Sequence, residues 1–196
     1  MNENSYTPPV VAVDATAPRL QASEFYVVSA RKFVLLFLAT FGLYQLYWFY
    51  MHWARYRRVR KQQVWPVARA IFSIFFTHSL AEEIDHTARS RAPAYRWSPQ
   101  LAATGYVTAS LASIVLDRLA ANSIGSPATD LASLLLLGPL CLCLLAIQRA
   151  ANVACDQPRG DANSSLSWAN WIWRAIGGLV WLMVLLGLTA FFVPAF

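Results

Sequence analysis

Charge is scarce in this chain, and acidic charge scarcer still. Charged residues make up 13% of the sequence, about half the roughly 25% of an average soluble domain, and Asp and Glu together number 10 in 196 residues. That poverty argues against an ordinary water-soluble enzyme and against a charge-rich disordered chain. Cysteine is equally sparse, with 3 in all. Cys141 and Cys143 sit inside an apolar run with Cys155 beyond it, a spacing that fits neither a zinc site nor a disulfide framework, so they read as small packing residues. A P-loop, a Gly-x-Ser-x-Gly elbow and a His-Glu-x-x-His zinc motif are all missing. What is abundant is apolar: hydrophobic residues reach 57%, aromatics 14% with eight Trp, and mean hydropathy is +0.41. These features specify an all-α, polytopic membrane helix bundle.

Residues 1–32 read as a flexible N-terminal tail. Pro8, Pro9 and Pro18 among small and polar neighbours give no period, and no basic stretch running into an apolar one marks a secretory signal. Residues 33–99 form a first region and 100–196 a second. Phe33 to Met51 is uncharged and, at 19 residues, just spans a hydrocarbon core of about 30 Å. Leu101 to Leu116 is a second, shorter run. Leu131 to Ile147 is a third, with Gly138-Pro139 as a potential kink, and Ala175 to Phe196 is a fourth. Tyr44, Tyr47, Trp48, Tyr50 and Trp53 at the end of the first run, and Trp168, Trp171 and Trp173 before the last, predict interfacial aromatic belts.

Val64 to Ile84 is apolar but interrupted by Arg69 and His78 and closed by Glu82, Glu83 and Asp85. A mid-bilayer charge costs at least about 2.5–3.5 kcal/mol. On a helix, Arg69, Ser73 and Thr77 line one side, with Ile71, Phe72, Ile74 and Phe75 broadly opposite. That layout predicts an amphipathic interfacial helix opened by Pro66. Four spans plus this helix place twelve of the sixteen Lys and Arg in 52–99 and 148–174. The positive-inside rule then sets both termini outside. A fifth span at 64–84 would erase the asymmetry.

Arg31-Lys32-Phe33, the block Thr40-x-Gly42-x-Tyr44-x-x-Tyr47-Trp48-x-Tyr50, Trp53, Pro66, Arg69-Ala70 and Phe72-x-x-Phe75-Phe76 share a pattern. It resembles a family of small bacterial integral membrane proteins of unknown function marked by a T-x-G-x-Y-x-x-Y-W-x-Y block. The resemblance covers 31–84 and not 85–196. It implies a multi-pass protein of the bacterial inner membrane, and it transfers no catalytic residue.

The sharpest chemical constellation is His78, Glu82 and His86, spaced by four, with Asp85 beside them and a Glu83-x-x-His86 spacing of the di-iron type. The outer two histidines are about 12 Å apart along a straight helix, too far for one ion held at about 2 Å from each ring nitrogen. No catalytic residue, metal or cofactor is therefore assigned. Arg55, Arg57, Arg58, Arg60 and Lys61 read as a topology signal able to attract anionic lipid headgroups. No aromatic-interleaved soluble module accompanies them, so nucleic acid is not an expected partner. Gly105, Ala109 and Ser113 recur every four residues and offer a small-residue face for close helix approach. Together these features predict a non-enzymatic membrane protein acting as a scaffold, accessory subunit or homo-oligomer. An oligomeric channel or small-solute transporter is the second reading, and a metal-dependent membrane enzyme the third. The uncharged spans argue against transport, which usually leaves ionisable groups inside the membrane; Arg69 is the one candidate.

Overall fold

The computed structural model describes residues 23–192, all helical or irregular, with no strand among them. The order is α1 (Ala30–Ala39), α2 (Tyr44–Arg60), α3 (Pro66–Ile71), α4 (Ser73–Arg91), α5 (Pro99–Ala121), α6 (Ala128–Ala154), a 3-10 turn (Asp161–Asn163) and α7 (Trp168–Phe192). Three helices are long and apolar enough to cross a membrane: Pro99–Ala121, Ala128–Ala154 and Asn170–Gly187. They overlap the second, third and fourth apolar runs, of which residues 193–196 lie outside the described residues. Helix α6 continues through Pro139.

The first run does not form one helix. Residues 33–51 are split between α1 and α2 by a turn in which Phe41 (φ 50°) and Gly42 (φ 83°) adopt left-handed backbone. The ten residues of α1 rise only about 15 Å, half of a hydrocarbon core. Thr40 makes the turn possible. Its hydroxyl donates to the Leu36 carbonyl (2.8 Å) and accepts from the Tyr44 amide (2.9 Å), while the Gly42 amide returns to the Phe37 carbonyl (2.9 Å). The chain then doubles back. The far end of α2 meets the start of the described chain through the Arg60–Glu24 ion pair at 2.5 Å, so α1 and α2 form a helical hairpin whose ends lie together. Its tip packs towards Leu137 on α6, since a Cβ on Gly42 would lie 3.7 Å from that side chain.

The segment 66–84 is likewise two helices, broken at Phe72 (φ −95°, ψ 38°). Helix α3 lies along α2, with the Arg69 guanidinium over Trp53 at 4.2 Å and Phe76 at 5.0 Å. Helix α4 returns antiparallel to α5, through Ser73–Tyr106 (3.0 Å), His78–Thr104 (3.1 Å) and Glu82–Gln100 (2.9 Å). Arg60 and Thr87 share a hydrogen bond at 3.4 Å, so this second hairpin also ends beside the base of the first. The amphipathic pattern is real but inverted relative to a soluble protein. Ser73 and Thr77 are buried, and Ile71, Phe72 and Phe75 face outward, Phe75 with 77% of its surface exposed.

The sequence assigned residues 23–32 to a flexible tail, whereas 23–29 form an extended segment at the centre of the molecule. Phe25, Tyr26, Val27 and Val28 are all buried, because their side chains fill the gap between α2 and α6. Residues 1–22, the rest of that tail, lie outside the described residues.

Helix α7 is joined to the body along α1. Asn170, Arg174, Gly177, Trp181 and Val184 make up its less exposed side. Trp181 Nε1 donates to the Leu38 carbonyl (2.9 Å), near the end of α1, and its ring stacks on Phe41 at 4.5 Å. Gly177 sits directly on the Ala39 carbonyl, where a Cβ would run into backbone, whereas Gly178 meets nothing within 4 Å. Gly177→Ala should therefore lower stability by about 1–3 kcal/mol as α7 is pushed off α1. Gly178→Ala should be neutral or raise it by up to about 1 kcal/mol through helix propensity. Thermal melts of both variants in detergent check the pair.

Candidate functional site

The most concentrated polar chemistry lies where the 23–29 segment crosses α2 and α6. An extended segment exposes every backbone N–H and C=O, and in a water-poor interior each needs a partner. Helix α6 supplies them from Gln148 and Asn152, both fully buried and four residues apart on one face. Gln148 Nε2 donates to the Tyr26 carbonyl (2.9 Å) and to Asn152 Oδ1 (2.7 Å). Asn152 Nδ2 donates to the Val28 carbonyl (2.9 Å), and the Val28 amide donates back to Asn152 Oδ1 (3.4 Å). One asparagine thus pairs with both backbone groups of one residue, as a neighbouring strand would.

Gln148 Oε1 faces α2. It accepts from Trp48 Nε1 at 2.5 Å and from His52 Nε2 at 3.3 Å. His52 is enclosed by Trp48, Phe25 and Tyr26, and its Nδ1 has no partner among the described residues. Burial pushes its pKa down to about 3, so the ring is neutral. Asn163 completes the enclosure, donating to the Val27 carbonyl and the Tyr26 hydroxyl, both at 3.0 Å. Gly160 makes room for it, with φ 70° and a missing Cβ that would stand 2.5 Å from the Val28 carbonyl.

Lys32 lies at the edge of this cluster, with only 7% of its surface exposed. Its ammonium donates to Asn163 Oδ1 and the Ser165 carbonyl, both at 2.7 Å, and forms no ion pair among the described residues. Burial lowers its pKa. A smaller second cluster joins the two hairpins to α5: Tyr106 donates to Gln45 Oε1 (3.1 Å) and accepts from Ser73 (3.0 Å). Every group in both clusters is a neutral donor or acceptor apart from Lys32. The arrangement orients and seals; it presents no nucleophile beside a base.

The residues singled out from sequence are dispersed. Trp48 and Trp53 are fully buried rather than interfacial, because α2 turns them onto Gln148 and Arg69. Tyr44 is half-buried and bonds Tyr26 (3.3 Å), while Tyr47, Tyr50, Trp168, Trp171 and Trp173 are exposed. Among the basic residues, Arg60 is paired with Glu24, and Arg55 lies over Tyr26 at 5.2 Å and bonds the Phe25 carbonyl at 3.4 Å. Arg57, Arg58 and Lys61 are exposed and unpaired among the described residues. The small face of α5 is used within the chain. Gly105 sits against Cys143 of α6, Ala109 is buried, and Ser113 hydrogen-bonds Asp117 at 3.4 Å. His78 and Glu82 bond Thr104 and Gln100, and His86 is exposed.

Gln148, Asn152 and Asn163 carry no motif in the sequence, and Lys32 entered only as part of the Arg31-Lys32-Phe33 pattern. The available signal was two amides four residues apart at the end of an apolar run, Gln148-x-x-x-Asn152. Comparison with protein-family models, curated proteins and solved structures finds no match.

Replacing Gln148 by Leu strands the Trp48 indole N–H and the Tyr26 carbonyl in the interior, at about 1–3 kcal/mol for each buried group left unpaired. Gln148→Leu should lower the unfolding free energy in detergent by about 3 kcal/mol. Arg149→Gln, on the exposed neighbouring position, should change it by no more than about 0.5 kcal/mol.

Proposed function

We propose that this chain is a non-enzymatic, multi-pass protein of the bacterial inner membrane that works by association, with a second copy of itself as the first partner. On this reading α5, α6 and α7 span the bilayer. The α1–α2 and α3–α4 hairpins enter it from one side and return to that side. The resemblance of residues 31–84 to small bacterial membrane proteins belongs to the same proposal.

The direction of the elements supports this placement. Helices α5 and α6 are antiparallel, so Pro99, Ala154 and Trp168 open onto the same end of the bundle, with the bases of both hairpins. That end carries the basic loops, and the positive-inside rule makes it cytoplasmic. The start of the described chain then lies inside and the C-terminal end of α7 outside. The four-span reading had put both termini outside. Broken helices at membrane depth are tolerated where protein covers the free backbone groups. Thr40 and Trp181 do so at the first tip.

The observation that carries the association reading is the outer side of α7. Ile172, Ile176, Leu179, Met183 and Leu186 are all exposed and recur at spacings of four, three, four and three. This is the period of a seam between two helices. Helix α7 meets the body through its opposite side, so the seam has no partner within the described chain. Arg69, whose exposure to a cavity would favour transport, is instead stacked on Trp53 and Phe76.

In a chain with Cys141, Cys143 and Cys155 replaced by alanine, Leu179→Cys should cross-link into a dimer in isolated membranes on mild oxidation. Leu101→Cys, more exposed still but on α5, should not. A monomer in lipid nanodiscs with no α7 cross-link contradicts the reading.

A further inference from the structure

We propose that the groove at the α2–α3 junction binds the headgroup of one anionic phospholipid, whose acyl chains run along the outward face of α3 and the start of α4. The proposal deepens the membrane reading above and rests on its placement of the α3–α4 hairpin in the bilayer.

The groove is open to the surface, is lined by Arg57, Lys61, Gln62, Gln63, Val64 and Trp65, and has a volume of about 550 Å³, within the range of small-ligand sites. Its chemistry has one sign. Arg57 and Lys61 stand one helical turn apart at the end of α2, on the same side, and two amide side chains follow them. No carboxylate among the described residues lines it. The carboxylates near the base of α2 are otherwise engaged: Glu24 pairs with Arg60, and Glu83 lies beside Tyr56. A guanidinium and an ammonium beside amide N–H groups match a phosphodiester, which offers charge and acceptors and no donor of its own.

The second observation is continuity with an apolar track. Trp65 closes the groove with 73% of its surface exposed, and Val67, Ile71, Phe72 and Phe75 continue outward from it, all exposed. Such a row is out of place facing water and fits an acyl chain. Trp at the junction of the polar and apolar parts is the residue that partitions to the headgroup level. The left-handed cap at Lys61 (φ 53°) turns the chain from α2 towards α3 here, so that the cations and the apolar track adjoin. A soluble phosphate would use the groove and leave the track idle; an anionic lipid uses both.

Native mass spectrometry of the purified full-length chain, titrated in detergent with phosphatidylglycerol or phosphatidylcholine, reads lipid occupancy and stoichiometry together. Each cation near a headgroup is worth roughly a 5-fold preference, so phosphatidylglycerol should bind one site roughly 30-fold more tightly than phosphatidylcholine. Arg57→Gln with Lys61→Asn should bring the two lipids close to parity, asparagine being tolerant of the left-handed cap. Arg89→Gln, paired with Asp85 elsewhere, should leave the preference intact. If the double variant does not fold, Lys61→Asn alone should cost roughly 5-fold. A wild-type chain without preference, or a folded double variant that keeps it, overturns the proposal. Displacement of the lipid by millimolar glycerol 3-phosphate overturns its identity as a lipid site. A monomer that retains the preference contradicts self-association alone, and a dimer without it contradicts this site alone.

Discussion

Three hydrogen bonds between two amide side chains and the backbone, with a fourth between the amides themselves, hold the centre of this molecule. Gln148 and Asn152 give the extended backbone of Tyr26 and Val28 the partners that a strand would otherwise provide, in a region closed to water by Trp48, Phe25 and His52. The pairing fixes the depth and direction of the 23–29 segment, and with it the point at which α1 starts. Because Glu24 also holds Arg60, the same segment fixes where α2 ends. The hairpin between them is thereby closed at its base before its tip is considered. Desolvated amides of this kind are costly when half-satisfied and rigid when complete. Here the side-chain amides of Gln148 and Asn152 have every nitrogen and oxygen engaged.

The second constraint acts at the hairpin tips. A helix that stops inside the molecule leaves carbonyls without partners. The Thr40 hydroxyl and the Trp181 indole donate to carbonyls in the last turn of α1. Trp181 thereby does double duty, since the same bond attaches α7. The α3–α4 hairpin is anchored differently, by Arg69 between two aromatic rings and by the Ser73–Tyr106–Gln45 chain. In the α3–α4 hairpin Ser73 and Thr77 point inward and Phe72 and Phe75 outward, whereas the α1–α2 hairpin buries aromatic side chains, Phe33, Phe37, Trp48 and Phe49 among them.

Composition and run length were enough to read the all-helical class and the helices α5, α6 and α7, because long uncharged runs have one stable solution in an apolar medium. The break at 40–43 was not legible, since Thr40-Phe41-Gly42-Leu43 carries no charge and no proline. Its consequence depends on Trp181 and Leu137, which lie far off in sequence. The stripe of Arg69, Ser73 and Thr77 was visible, but its direction was not: periodicity separates two faces without saying which one meets protein. The small face of α5 was legible as a packing surface, while its neighbour, Cys143 of the same chain, was not. Trp48 and Trp53 were assigned to the interface by residue type, and one hydrogen bond with Gln148 and one stacked guanidinium place them inside. The cluster around Gln148 was not legible because half of its hydrogen bonds end on backbone atoms, which leave no residue signature, and Trp48 and His52 lie about a hundred positions from Gln148.

The central claim is that the chain enters and leaves the first hairpin on the same side of the membrane. Membrane-impermeant thiol labelling of single cysteines at Ser23, Gln62 and Ser123 in sealed spheroplasts and inverted vesicles tests it most directly. The account predicts that Ser23→Cys and Gln62→Cys react only in inverted vesicles, and Ser123→Cys only in spheroplasts. Reaction of the Ser23 and Gln62 positions from opposite sides would make α1 and α2 one spanning element and contradict the account.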